Sequence, residues 1–183
     1  MGYLKYCSSC GARNKIRKLE GRRRRVCPEC GTVHYENPRP AVTVVAVRDG
    51  KILLVRRAVA PAEGQWCLPG GFMELRESAE EAARRELREE TGLAVSNLTF
   101  MAICPYPGGI KENLLVLAFV TENFSGQPTP GDDAQETRFF PLEQLPPVAF
   151  RCHREIIRTY MESPVNRRDR PDESSVKDRP PGE

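Results

Sequence analysis

The sequence predicts an α/β fold in which a mixed sheet lies between helices, preceded by a small cysteine-rich module. Three observations carry that prediction. Two β-branched runs, 41–47 and 51–56, flank Asp49 and Gly50, a strong hairpin signal. Ser78 with Glu81 three residues later is a capping box, and Ala79, Ala82, Ala83 and Leu87 follow at helical spacing. Two Cys-x2-Cys pairs stand sixteen residues apart near the front of the chain. With 183 residues and 39% apolar content, the chain suits one mid-sized core plus an appendage.

The first element, residues 1–36, holds Cys7, Cys10, Cys27 and Cys30, each pair followed by a glycine, Gly11 and Gly31. This is the spacing of a four-thiolate zinc site, two tight knuckles aimed at one tetrahedral ion. The segment is too short to bury a core, so a structural Zn²⁺ supplies its folding energy. A disulfide reading finds no secretory signal and leaves Cys67, Cys104 and Cys152 over. Those three read as packing residues, and His34 and His153 as bystanders. Between the knuckles, Arg22–Arg25 reads as a solvated hairpin edge protected by charge. Nucleic-acid binding is the competing reading, without aromatic interleaving in the sequence to support stacking.

Residues 37–162 form the second predicted domain. A stiff proline linker leads to the hairpin, then 65–71 leads into the capped helix. Residues 98–103, 114–120 and 137–140 read as strands, 105–109 as a loop carrying Tyr106, and 150–162 as a terminal helix. Residues 163–183 are polar and predict a disordered tail. Residues 1–40 carry ten Lys/Arg against three Asp/Glu, while 41–162 carry thirteen against seventeen. A basic module thus precedes an acidic body. No apolar run approaches the roughly 20 residues that span a bilayer. The front lacks a signal-peptide core, so the expected location is cytoplasmic.

The chemistry concentrates in 71–93, GFMELRESAEEAARRELREETGL. Glu86 and Glu90 lie four apart on one helical face, and Glu89 flanks them one turn after Arg85. Such repelling carboxylates become tolerable when hard, oxygen-seeking cations, Mg²⁺ or Mn²⁺, neutralise them. The segment fits G-x5-E-x7-R-E-U-x-E-E-x-G-U, with U a bulky aliphatic, at Gly71, Glu77, Arg85, Glu86, Leu87, Glu89, Glu90, Gly92 and Leu93. On these residues the chain resembles a Nudix hydrolase. The resemblance implies an α/β/α sandwich and hydrolysis of a nucleoside diphosphate linked to another moiety. It implies Glu86, Glu89, Glu90 and the Gly71 carbonyl as ligands of the catalytic metals, and Arg85 as the residue that orients the carboxylates. Glu77 braces the loop or joins the outer metal shell. The water-activating base is Glu86 or a carboxylate outside the motif, with Glu136 the outside candidate. Nudix domains often pair, which adds a homodimer to the expectations.

Two knuckles, then HYENPRP, GQWCLPGGF and DAQETRFFPLEQLPPVAF, resemble zinc-ribbon Nudix proteins related to FAD and ADP-ribose pyrophosphatases of plant chloroplasts and bacterial relatives. FAD or ADP-ribose, cleaved to AMP and a phosphorylated product, is the substrate class this implies. Gly70, Gly71, Trp66, Phe72 and Tyr106 are the expected substrate contacts, the glycines for backbone approach to phosphate and the aromatics for stacking. NADH pyrophosphatase activity and RNA-cap hydrolysis aided by the basic ribbon are the alternatives.

Overall fold

The computed structural model describes residues 4–107, 113–131 and 133–163. All but the first residue of the expected tail, 163–183, and part of the expected loop at 105–109 lie outside them. The described residues form two compact units, one within 1–40 and 105–115, the other within 41–104 and 116–183.

In the first unit, β1 (Lys15–Leu19), β2 (Arg22–Val26) and β3 (Val33–His34) make a three-stranded antiparallel sheet in that order. Glu20 and Gly21 both take positive φ, 48° and 77°, the requirement of a two-residue hairpin turn matched to strand twist. β2 is the middle strand, but β3 pairs with it only at Arg25 and Val26, so Arg22–Arg24 keep an open edge on that side, as the sequence suggested, and Arg25 does not. The two Cys pairs meet at one end of this small sheet, the end of Lys15, Val26 and Val33.

The second unit is built on β4 (Arg39–Arg48) and β5 (Lys51–Arg57). Asp49 and Gly50 again have positive φ, 51° and 67°, and Arg48 pairs with Lys51 across the turn. There follow β6 (Trp66–Cys67), α1 (Ala79–Thr91), β7 (Ala94–Val95), β8 (Thr99–Pro107), β9 (Asn113–Thr121), β10 (Phe124–Ser125), β11 (Ala134–Pro141), a 3-10 turn at Leu142–Gln144 and α2 (Arg151–Glu162). The six-stranded sheet runs β11-β5-β4-β9-β8, with β6 paired to β5, and β10-β7 form a separate ribbon.

Every residue from Ala41 to Val47 is buried, so the sheet needs cover on both faces, which gives the layered sandwich. On one face Val42, Val44, Ala46 and Leu53 share a core cluster with Ala82, Ala83 and Leu87 of α1. Strand alternation turns Thr43, Val45 and Val47 to the other side. The helix α2 buries Cys152, Ile156, Ile157 and Tyr160. Among the described residues no helix is long and apolar enough to cross a membrane.

The structure departs from the sequence reading at residues 105–107. Tyr106 is strand, not loop, because β8 ends the sheet and an edge strand tolerates Pro105 and Pro107 without losing ladder bonds.

Candidate active site

The helix α1 begins and ends as its sequence dictates. The Ser78 side chain accepts the Glu81 N–H, and Glu81 Oε2 accepts the Ser78 N–H at 2.7 Å. Gly92 closes the helix in the left-handed conformation, φ 71°, donating to the Arg88 carbonyl at 2.8 Å. The next free carbonyls are taken by a loop from far along the chain. Thr129 N donates to Thr91 O at 2.8 Å, and Gly131 N to Glu90 O at 3.0 Å.

Facing the helix is the strap Leu68–Gly71. Val44 N and Thr43 Oγ1 both donate to Pro69 O, at 3.0 and 2.9 Å, and Val42 N donates to Gly71 O at 2.8 Å. The strap lies so close to β4 that a Cβ on Gly70, at φ 150°, would stand 2.2 Å from the Val42 carbonyl oxygen. A Cβ on Gly71 would stand 2.4 Å from Glu86 Oε1. The glycine pair is thus required by β4 and by the Glu86 carboxylate. The Gly71 carbonyl keeps one lone pair beyond the Val42 bond.

Against this strap the three glutamates are held in different ways. Glu90 is reached by the strap itself, its Oε2 accepting the Gly70 N–H at 2.9 Å. Burial pushes its carboxyl up to about 7, with the Glu86 and Asp133 charges adding to the rise. Glu86 is also raised, chiefly by burial, although Arg85 Nη1 donates to it at 2.7 Å. Glu89 is the outer member, its side chain 53% exposed, and it too accepts from Arg85 Nη1, at 3.1 Å. Arg85 spends its remaining donors on Glu77, at 2.8 and 3.1 Å, and on the Phe72 carbonyl at 3.0 Å. One guanidinium therefore gathers Glu77, Glu86 and Glu89, and this contact holds the Glu77 carboxyl below its usual range.

Two half-buried carboxylates with raised pKa, beside an exposed third, carry more negative charge than Arg85 offsets. That is the donor set of a site for hard divalent cations. The fit is partial in one respect. Among the described residues, the group whose ligand atoms all lie within 4.8 Å of one another is Cys7, Cys10, Cys27 and Cys30, not the glutamates.

The other expected residues are dispersed. Trp66 is half-buried on β6 and packs edge-on against Phe140, centroids 4.9 Å apart. Phe72 is exposed and forms a bridge to Ala41. Tyr106 belongs to the other unit. Glu136 lies within β11 and its carboxylate is engaged by Arg138. Asp133, whose charge reaches Glu90, was passed over in the sequence because an acid in a turn reads as solvated. His153 was also missed. Its Nδ1 accepts the Leu68 N–H at 3.1 Å, at the start of the strap. Desolvation and Arg57 lower it to about 4, so it stays neutral and able to accept.

The cysteines make the second site. Cys7 Sγ lies 3.6 Å from Cys30 Sγ, and Cys10 Sγ 3.4 Å from Cys27 Sγ. Disulfide sulfurs would be about 2.05 Å apart. Four thiolates around Zn²⁺ at about 2.3 Å stand about 3.8 Å from one another, so the observed spacing fits the ion. The knuckles are formed by local backbone bonds, Gly11 N to Cys7 O at 2.9 Å and Gly31 N to Cys27 O at 3.1 Å.

Fold, carboxylate helix and sulfur cluster together are those of a class of hydrolases that carries a zinc ribbon. The NUDIX domain family matches residues 37–160, and the Nudix N-terminal zinc ribbon matches residues 5–36. The chain belongs to the Nudix family, whose members act with divalent metals. It is 38% identical over 128 residues to an ADP-ribose pyrophosphatase of Methanocaldococcus jannaschii, covering 69% of this chain and 75% of that protein. It is 32% identical over 145 residues to the NAD-capped RNA hydrolase NudC of Pseudomonas aeruginosa, covering 79% of this chain and 50% of that protein. The chain thus spans about half the length of this relative. A Nudix hydrolase structure from Nitrosomonas europaea superposes with a TM-score of 0.69 at 32% identity, covering 87% of this chain and 91% of that one.

Proposed function

We propose that the protein hydrolyses a nucleoside diphosphate linked to a second sugar or nucleoside, with ADP-ribose as the leading substrate. The observation that carries this reading is the half-buried pair Glu86 and Glu90, raised in pKa and held against the Gly70–Gly71 strap. The ADP-ribose pyrophosphatase relative gives the substrate its direction. FAD belongs to the same class of split diphosphates and is the second candidate.

In this reading Glu86, Glu89, Glu90 and the free lone pair of the Gly71 carbonyl hold Mg²⁺ or Mn²⁺. Such ions screen the diphosphate, polarise a P–O bond and lower the pKa of a bound water. Arg85 keeps Glu86 and Glu89 in register while its grip on Glu77 and the Phe72 carbonyl fixes its own position. The Gly70 N–H fixes Glu90. Glu86 takes the proton of the attacking water. Water adds across one P–O–P bond, and AMP leaves with the phosphorylated second half. Glu136, engaged by Arg138, is the alternative base. Phe72, exposed beside Arg85, and Trp66 are the proposed ring contacts on this unit.

The NudC relatives favour a second reading, in which the adenosine diphosphate linkage caps an RNA. One turnover panel tests both: ADP-ribose, FAD, NADH, NAD-capped RNA and the four dNTPs, each with Mg²⁺ or Mn²⁺. ADP-ribose is expected to give the highest kcat/KM. A capped RNA ahead of free ADP-ribose establishes the second reading, and a dNTP ahead of every linked diphosphate overturns both.

A further inference from the structure

We infer that the three-stranded sheet of the ribbon binds single-stranded nucleic acid through a basic face carrying one stacking tyrosine. This surface does not depend on the catalytic reading. The strand register makes the case. Arg17 stands directly opposite Arg24, and Lys18 opposite Arg23. Like charges placed opposite one another destabilise a strand pair, so the sheet is less stable by itself than with an anion on it. Seven cations lie in β1 and β2, Lys15, Arg17, Lys18, Arg22, Arg23, Arg24 and Arg25, against one acid, Glu20, in the turn. Of these seven, Arg25 alone has a carboxylate partner among the described residues, Glu36 at 3.9 Å.

Protection against edge-to-edge pairing explains cations on β1. On β2 the pairing with β1 runs the length of the strand, but β3 pairs only with Arg25 and Val26, so Arg22–Arg24 keep an open side where charge also guards against strand addition. The aromatic that the linear sequence lacked is supplied by the fold. Val26 pairs with Val33 and Arg25 with His34, so the next step of the ladder brings Tyr35 level with Arg24. The Arg24 guanidinium lies over the Tyr35 ring, 4.9 Å from its centroid, and Tyr35 remains 61% exposed. Arg17, Arg24 and Tyr35 form one row across the sheet, and Lys15 and Arg22 share its face by strand alternation. Same-face residues recur about every 6.7 Å along a strand. Cations on such a lattice follow a flexible phosphate backbone, and the ring accepts an unpaired base of any identity. A duplex offers phosphates without a free base face, so the tyrosine favours the single strand.

The test uses the full, zinc-loaded chain and a fluorescent 20-nucleotide oligouridine with a 5′ hydroxyl, which contains no diphosphate to cleave. Anisotropy is read from 50 to 300 mM KCl, with oligothymidine, a duplex and phosphatidylserine vesicles as parallel arms. Arg17→Gln/Arg22→Gln/Arg24→Gln is compared with Lys51→Gln/Arg88→Gln/Arg158→Gln, which removes the same charge from the other unit. Zinc content confirms that each variant keeps its ribbon. The proposal expects the ribbon triple to flatten the slope of log K against log salt by about 2, at about 0.7 per lost phosphate contact, and the control triple to change it little. Tyr35→Leu should weaken binding by about tenfold without changing the slope. Equal losses in both triples, no wild-type binding at 50 mM KCl, or tighter binding of the duplex or the vesicles would each overturn it. Oligouridine above oligothymidine identifies RNA as the source, and the reverse order identifies DNA.

Discussion

The ribbon and the carboxylate helix both gather groups that repel one another when charged, and they do so by opposite routes. In the ribbon, four sulfurs come from two local turns within 24 residues, and each turn is closed by its own backbone bond. At the helix, the three glutamates are neighbours on one element, but what holds them comes from elsewhere: Gly70 and Gly71 from the strap, Glu77 through Arg85, Thr129 and Gly131 at the helix end. The sulfur cluster is complete in itself and fits one closed tetrahedral ion. The carboxylates are held apart and in place by the fold, with one member exposed, an arrangement suited to metals that must also meet a substrate. Closure makes a structural site; support from distant residues makes an adjustable one.

The sharpest break in this contrast is Cys27→Ser. Structural zinc contributes on the order of 10 kcal/mol to folding a small metal module. The variant should lose its zinc and its β1–β2 hairpin, while α1 and the core around Leu87 persist. Elemental analysis with limited trypsin digestion checks this, the arginines of β2 becoming early cleavage sites. Loss of the whole fold would mean the two units are not separable as described.

Next in size is Glu86→Gln, which keeps shape and removes charge. We expect kcat to fall by a hundredfold or more, about 2.7 kcal/mol of transition-state stabilisation, with the circular dichroism unchanged. Wild-type turnover of ADP-ribose by this variant would dismiss the metal-ligand assignment.

Gly131→Ala tests support at the helix end. Its Cβ would stand 1.9 Å from the Glu89 carbonyl oxygen, a backbone atom that cannot swing aside. Overpacking of this kind costs about 1–3 kcal/mol, or roughly 2–10 °C in Tm for a chain of this size. Activity should fall with it, because the displaced carbonyls belong to Glu89 and Glu90. An unchanged Tm would show that the loop yields freely.

Much of this was legible because the signals were local. Ser78, Glu81 and Gly92 bound a helix by rules confined to one turn, and Asp49-Gly50 set a hairpin. Cys7, Cys10, Cys27 and Cys30 announced their site by spacing. The illegible parts depend on residues far apart in the chain. Nothing near Leu68 indicates that His153, 85 residues later, accepts its N–H. The two-residue strands β7 and β10 are too short for any periodicity to appear. Pro105 and Pro107 suggested a loop because their edge position in the sheet is a tertiary fact. That Arg25 alone of the arginine run is paired on both sides was hidden for the same reason, since strand order is not written in the strand.

The smallest effect separates function from stability at Glu90. Its folded carboxyl is raised to about 7 by burial, above the unfolded value near 4.5. The metal-free folded protein therefore binds a proton more tightly than the unfolded chain does. The sign follows: this group's unfavourable contribution is absent below about pH 4.5, grows as the carboxyl ionises through pH 7, and is complete above it. Glu90→Gln removes that burden while keeping an acceptor for the Gly70 N–H. The metal-free variant should thus be more stable than wild type at pH 8, by on the order of 1–2 kcal/mol, and equal to it near pH 5. Thermal melts of metal-free protein from pH 5 to 8 check this. Addition of Mg²⁺ should reverse the order, because the wild-type carboxylate gains a cation and the amide does not. A ribbon substitution such as Arg22→Gln should leave this pH profile where it was. If Glu90→Gln is instead less stable at pH 8 without metal, burial is not what strains the site, and the contrast between a closed and an adjustable metal centre loses its energetic basis.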